Sequence, residues 1–341
     1  MREIKKRKKL KGICGVYPAC DGAPNRICQQ QAYGLPIGLG GVGSGESFKA
    51  NYNALSAKRF ITKVVGEHFT PDITFNFLGI KLSMPIIASS VAGPGKYNNC
   101  ISEIDFCKAN VDGCREAGSI AFRGDTYFYT VDNHPSLDSI HNAGGFGIPI
   151  FKPRSQESLK KLIKKAEMMG CPAVGIDLDG CGSTNMASAG QPVYRKSLQD
   201  MKDLVNSTNL PFIFKGVMNV SDAELCLEAG AKVISVSNHG GRVMDYTPGV
   251  AEVLPKISKT IGDKAIITAD GGIRTGYDVL KMLALGADAV LIGRDLVRAS
   301  IGGGIDGVKM QMEYLAKTLK HAMFMTGCTN LKSIDSQIFY D

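Results

Sequence analysis

The sequence predicts an α/β fold: a (β/α)8 TIM barrel preceded by a Gly/Cys-rich N-terminal extension. Three observations carry that prediction. From Pro85 onward, eight short apolar runs rich in β-branched residues recur at even spacing. Amphipathic helical stretches separate most of them, which is the alternation that builds a parallel sheet. Ionisable residues stand at the ends of five consecutive runs, where a barrel gathers its chemistry. An open doubly wound sheet is the alternative, but nothing in the spacing breaks the series in two.

In chain order, residues 1–70 read as a basic arm and a Gly/Cys-rich extension, and residues 71–341 as the barrel. The segment 13–53 shows no clear period, and Gly38–Gly45 is a weak match to a phosphate loop because no strand precedes it. Residues 71–84 alternate as a hairpin does. The expected strands are 85–88, 118–122, 147–151, 173–178, 211–215, 233–238, 265–270 and 288–293. Helices are expected at 155–169, where Leu159, Leu162, Ile163 and Ala166 share a face, and at 221–229 and 277–285. A final helix at about 305–325 closes the barrel. Ser221-Asp222 marks one helix start, and Gly230 and Gly286 mark ends.

Composition narrows the function classes. The chain has 341 residues, 44% hydrophobic and 21% charged, ordinary for a globular protein. No apolar run approaches the roughly 18 residues that cross a bilayer, and the start does not read as a signal peptide. The expectation is a cytoplasmic protein without membrane contact. Net charge is +8, but MREIKKRKKLKG holds seven Lys/Arg against one Glu, so the excess is local. The nearly neutral remainder argues against nucleic acid as a partner. Ten cysteines show no CxxC pair. Cys100, Cys107 and Cys114 fall on one helix face, and most cysteines read as reduced thiols with no metal site expected. Cys14, Cys20 and Cys28 leave a small opening for a metal or an iron–sulfur cluster.

The stretch with most chemistry is Val233–Ile–Ser–Val–Ser–Asn–His–Gly–Gly–Arg242. A buried strand ends at Ser237-Asn238, and two glycines separate His239 from Arg242 in a turn that admits close backbone approach. An imidazole takes a proton near neutral pH, and a guanidinium grips a carboxylate with two bonds. Together they suit removal of a proton next to a carboxylate. Asp177, Lys215, Asp270 and Arg294 join them at the expected strand ends. Gly271 and Gly272 expose backbone N–H groups, and Arg274 and Arg294 match a phosphate dianion in the loops after strands seven and eight. Lys215, facing the interior, needs an anionic partner, a reduced cofactor or a carbonyl oxygen. A Schiff-base lysine is its competing role.

Ser237–Asn–His–Gly–Gly–Arg242, Phe214–Lys–Gly216, Asp270–Gly–Gly–Ile–Arg274 and Ile292–Gly–Arg294 together resemble the FMN-dependent 2-hydroxy-acid oxidases and dehydrogenases. That is the family of glycolate oxidase, lactate oxidase and mandelate dehydrogenase. The resemblance runs over roughly residues 75–335, including Leu78–Gly–Ile–Lys–Leu–Ser–Met–Pro85. It implies FMN as cofactor, a small-molecule substrate and a homo-oligomer, a tetramer or octamer. It implies that His239 takes a proton while two electrons pass to flavin N5, and that Arg242 binds the substrate carboxylate. Asp177 then hydrogen-bonds His239, and Lys215 sits at flavin N1/O2. Asp270, Gly272, Arg274, Gly293 and Arg294 hold the ribityl phosphate, and Ser89, Ser90 and Val91 line the N5 edge.

The substrate half departs from the pattern. The family's strand-three tyrosine falls at Pro149, its N-terminal tyrosine has no counterpart in Gly38–Gly45, and its second arginine is missing after Asp177. Arg123, Tyr127, Tyr129, Lys152 and Arg154 are the candidate replacements. The expected function is oxidation of a lactate- or glycolate-like 2-hydroxy acid to the 2-oxo acid. The same chemistry on a larger substrate such as a modified peptide, and an FMN-dependent non-redox isomerase, are the alternatives.

Overall fold

The computed structural model describes residues 41–94 and 101–340. The basic arm, Cys14, Cys20, Cys28, Cys100 and Gly38–Gly40 lie outside the described residues. Eight parallel strands form the barrel: β1 (Ile86–Ala88), β2 (Phe122–Arg123), β3 (Ile148–Phe151), β4 (Val174–Asp177), β5 (Phe212–Val217), β6 (Val233–Val236), β7 (Ile266–Ala269) and β8 (Ala289–Ile292). Each pairs with its neighbour in sequence, and β8 pairs with β1 through Val290–Ile86, Leu291–Ile87 and Ile292–Ala88. The bridge between Ala88 and Ala121 closes the ring. The second strand is expected at 118–122, yet the ladder registers at Phe122–Arg123. The residues before it meet β1 through that bridge, the Ala88 amide donating to Ile120 O at 3.2 Å and the Ser119 hydroxyl donating to Ile86 O.

The helices are α1 (Glu46–Ala57), α2 (Glu103–Glu116), α3 (Pro135–Asn142), α4 (Gln156–Met168), α5 (Leu198–Val205), α6 (Val220–Glu228), α7 (Val250–Ile261), α8 (Gly276–Ala284) and α9 (Arg294–Thr326). Strands are buried on both faces, so they read as continuous apolar runs, and the helices between them bury one stripe against the barrel. On α4 that stripe is Leu159, Leu162, Ile163 and Ala166, as the sequence pattern requires. Cys107 and Cys114 share the buried face of α2. The described cysteines are free. Burial pushes the Cys114, Cys171 and Cys226 thiols up to about 12, so these thiols are inert.

Three boundaries differ from the sequence expectation. The cap of α6 is Asn219, whose side chain accepts from the Asp222 amide, not Ser221. The last helix begins at Arg294, directly after β8, and is broken at Gly304, where φ is 56°. In the stretch without clear period, Glu46–Ala57 is a helix with Ser47, Phe48, Asn51 and Leu55 buried. Its buried stripe faces the loops at the C-terminal ends of the strands, so it packs on polar loops rather than on an apolar sheet. That is why its pattern mixes Ser and Asn with Phe and Leu. A hairpin, Phe75–Phe77 with Ile80–Leu82, leads into the barrel as expected.

Gly276 opens α8 against the backbone of α9, and its amide donates to Thr318 Oγ1 at 2.8 Å. A Cβ there would overlap the backbone at Leu319. Gly276→Ala is therefore expected to destabilise the fold by roughly 1–3 kcal/mol, as overpacking does. Denaturant unfolding checks this, and an unchanged midpoint would contradict the packing described.

Candidate active site

The turn after β6 is unusual in its backbone. His239, Gly240 and Gly241 all have left-handed φ, at 57°, 63° and 76°. For a histidine this conformation costs on the order of 1 kcal/mol or more, so neighbouring contacts must hold it. Ser237 Oγ accepts from the His239 amide at 3.0 Å, and Asn238 Oδ1 accepts from the Gly241 amide at 3.1 Å. Asn51 on α1 donates to the same Asn238 oxygen at 2.9 Å. A Cβ on Gly240 would strike the Arg294 guanidinium, and one on Gly241 would strike the backbone at Phe48. Gly241 is thus required by close approach as well as by φ, and Gly240 by φ.

A charged network lies beneath this turn. Asp177, at the end of β4 and 2% exposed, sits 2.7 Å from Lys152 Nζ and 3.4 Å from Lys215 Nζ. Lys215 donates to Ser237 Oγ at 2.9 Å and lies 3.6 Å from Asp270. Ser237 in turn donates to Asp270 Oδ2 at 2.7 Å. Burial opposes charge on Asp177, yet His239, Lys152 and Lys215 outweigh it and hold the carboxyl well below the usual range. Burial likewise opposes the Lys215 ammonium, while Asp177, Asp270 and Asp179 push its pKa up. An amine kept charged in this way is a poor nucleophile, which disfavours the Schiff-base role.

The nearer partner of the histidine is Asp179, not Asp177. His239 Nδ1 lies 3.0 Å from Asp179 Oδ1 and 3.4 Å from Asp177 Oδ2. Two carboxylates on Nδ1 require the ring hydrogen there, which leaves the Nε2 lone pair on the opposite side. The family resemblance implies this role for Asp177, which ends β4. The one-turn 3-10 helix Leu178–Gly182 that follows carries Asp179 back under the ring. Asp177, Asp179 and His239 offer ligand atoms within 4.8 Å of one another, but the Lys152 ammonium already lies against Asp177.

These groups open into a cavity of about 320 Å³. Its wall includes every residue predicted for the site except Asp177, which lies buried beneath it: Ser89, Ser90, Val91, Lys215, His239, Arg242, Asp270, Gly271, Gly272, Arg274, Gly293 and Arg294. Of the candidate replacements, Lys152 and Tyr127 line the wall. Arg123 and Tyr129 are fully buried in a cluster with Cys107 and Glu103. Arg154 is buried too, and its guanidinium grips Asp125 at 2.8 and 2.7 Å.

The donor set fits a flavin nucleotide. In the loops after β7 and β8, Arg274 and Arg294 bring two guanidiniums to the wall beside Gly271, Gly272 and Gly293. Arg294 donates to Gly240 O at 2.8 Å and lies 4.3 Å over the Phe48 ring. Arg274 donates to the Tyr52 hydroxyl at 2.6 Å and pairs with Asp295. Ser90 Oγ and Asp270 Oδ1 are buried with no hydrogen-bond partner among the described residues, and both residues face the cavity. Orphaned polar atoms of this kind call for a polyhydroxylated ligand. Gly271 and Gly272 have φ of 95° and 84°, and a Cβ on either would press on Asn51, so α1 shares in requiring them.

The sequence model described as FMN-dependent dehydrogenase matches residues 37–189 and 183–341. The chain belongs to that family. As an FMN-dependent dehydrogenase it is 48% identical to a 2-hydroxyacid oxidase of Dictyostelium discoideum over 142 residues, 42% of this chain and 37% of that protein. It is 26% identical over 326 residues to an L-lactate oxidase of Lacticaseibacillus rhamnosus, covering 86% of each. It superposes on a mandelate oxidase solved with 3,3-difluoro-2-hydroxy-3-phenylpropionic acid at a TM-score of 0.74. There the identity is 28% over 87% of this chain and 91% of that one. A related mandelate oxidase structure carries a C4a-OH-FMN adduct, at TM-score 0.74, 29% identity and coverage of 86% and 91%.

Because the folded-state pKa of Asp177 is depressed, its ionisation stabilises the fold at every pH above the ordinary carboxylate range. That contribution disappears only as the pH falls through the lowered value. Asp177→Asn leaves Lys152 and Lys215 without their shared counter-ion and is expected to cost about 3–5 kcal/mol at pH 7. Urea unfolding at pH 7 reads this, and equal midpoints for the two proteins would rule it out.

Proposed function

We propose that this FMN-dependent dehydrogenase oxidises a small 2-hydroxy acid to the 2-oxo acid, with His239 as the base. The observation that carries the proposal is the environment of that ring: two carboxylates on Nδ1, Nε2 turned away from them toward Lys152, and Arg242 three residues on in the same cavity wall. Bound FMN supplies the acceptor for the two electrons that leave the carbinol carbon.

Each remaining role belongs to the chain's own residues. His239 takes the hydroxyl proton at Nε2, and Asp179 with Asp177 stabilises the imidazolium that results. Arg242 holds the substrate carboxylate by charge-assisted hydrogen bonds and so orients the carbinol carbon. Lys215 would hold a fixed positive charge that stabilises the reduced flavin. Arg274 and Arg294, with the amides of Gly271, Gly272 and Gly293, would bind the phosphate, Asp270 would accept from the ribityl hydroxyls, and Ser89, Ser90 and Val91 would line the flavin. The chemistry needs no metal. Among the described residues no helix is long and apolar enough to cross a membrane. A homo-oligomer is part of the same reading and rests on the family resemblance, with light scattering as the check on its mass; a cytoplasmic location rests on the sequence composition alone.

The test is incubation of the FMN-loaded protein with glycolate, lactate and mandelate, followed by assay of the 2-oxo acid. At least one acid is expected to be oxidised, and Arg242→Met is expected to raise its KM about tenfold or more by removing a charged hydrogen-bond donor. No 2-oxo acid from any of the three would overturn the proposal.

A further inference from the structure

Lys152 follows β3 directly and reaches the cavity wall, where the sequence pattern left a gap at Pro149. It is held at both ends. Its amide donates to Asp125 Oδ2 at 3.0 Å, and its Nζ donates to Asp177 Oδ2 at 2.7 Å. Its side chain passes over Gly180, where a Cβ would lie 2.8 Å from the Lys152 Cδ. The side chain is 13% exposed, and Nζ stands 3.4 Å from His239 Nε2.

That last distance is informative. Nε2 is the atom that takes the hydroxyl proton under the proposed reaction, and an ammonium carries three donors of which Asp177 uses one. Two atoms 3.4 Å apart share positions at hydrogen-bond distance, about 2.8 Å, from both. One oxygen can therefore bridge the base and the ammonium from beside the line that joins them, on the side where both residues line the cavity. Without substrate, Lys152 faces the base itself; a hydroxyl entering from the cavity contacts both groups at once.

We propose that Lys152 is a catalytic residue that binds the substrate's 2-hydroxyl oxygen, not its carboxylate. The proposal rests on the reaction assigned above. The hydroxyl proton passes to His239 Nε2, and the hydrogen on the carbinol carbon leaves with its electron pair to the bound flavin. The oxygen becomes the carbonyl oxygen of the 2-oxo acid. Lys152 keeps all its hydrogens and donates to that oxygen throughout, most strongly as the proton departs and negative charge builds. Arg242 is left to the carboxylate alone. The division of labour makes the 2-hydroxyl, rather than the acid group, the feature that Lys152 selects.

The experiment compares FMN-loaded wild type, Lys152→Met and Lys152→Arg on the best of glycolate, lactate and mandelate. In parallel, the matching acid without the hydroxyl (acetate, propanoate or phenylacetate) is titrated by the change in the flavin spectrum. Lys152→Met is expected to lower kcat by about 100-fold or more, the usual effect of losing such a donor. Binding of the deoxy acid should stay within about twofold, and Lys152→Arg should recover part of kcat. Should Lys152→Met not retain flavin, Lys152→Gln serves for the same comparison. An unchanged kcat overturns the role, as does deoxy-acid binding weakened in step with turnover, which would make Lys152 a carboxylate clamp. Wild type that oxidises none of the three acids overturns the reaction itself, and the role of Lys152 with it.

Discussion

The structure depends on one buried carboxylate. Asp177 lies under the barrel mouth with Lys152, Lys215 and His239 all within 3.4 Å. Each of those groups is expensive to bury alone; the counter-ion they share, with Asp179 on His239 and Asp270 beside Lys215, makes the set tolerable. The arrangement fixes more than charge. Lys215 is aimed at Ser237 and Asp270, and Ser237 holds the His239 amide, so the loops after β4, β5, β6 and β7 are tied through one chain of contacts. A site of this kind is preorganised because moving one member strands another.

The second constraint comes from outside the barrel. Three successive left-handed residues at 239–241 do not hold themselves, and α1 supplies what they lack. Asn51 bonds Asn238 and the Val250 amide, and Phe48 packs below Arg294. The Val42 amide donates to Gly241 O at 2.9 Å. The helix before the barrel therefore positions His239 and Arg294 together. The glycines at 241, 271 and 272 are the surface on which it lands.

Much of this was legible in the sequence, and the reasons for the rest are physical. The barrel was legible because buried parallel strands write themselves as apolar runs, and β4 to β8 begin and end within two residues of the sequence reading. That His239, Arg242, Lys215, Arg274 and Arg294 share one cavity wall was legible because strand ends and the turns after them face the barrel mouth. Asp179 was not, because a 3-10 turn returns it to the ring and no periodicity announces such a turn. Lys152 was visible only as one of five candidates; burial removes Arg123, Tyr129 and Arg154, which are enclosed by other partners. Helix α1 was missed because it packs against polar loops and so lacks a continuous apolar stripe. Asn51 and Asn238 left no signal beyond their type.

The most direct test of the account is a single-turnover experiment on the base. The yellow FMN-loaded protein is mixed without oxygen with the acid it oxidises, and flavin bleaching is timed for wild type and His239→Gln. The account predicts that both stay yellow alone, that wild type bleaches, and that His239→Gln does so slower by roughly 10²–10⁴-fold, the contribution of a positioned base. Bleaching of His239→Gln at the wild-type rate would contradict it, because the proton would then have another acceptor.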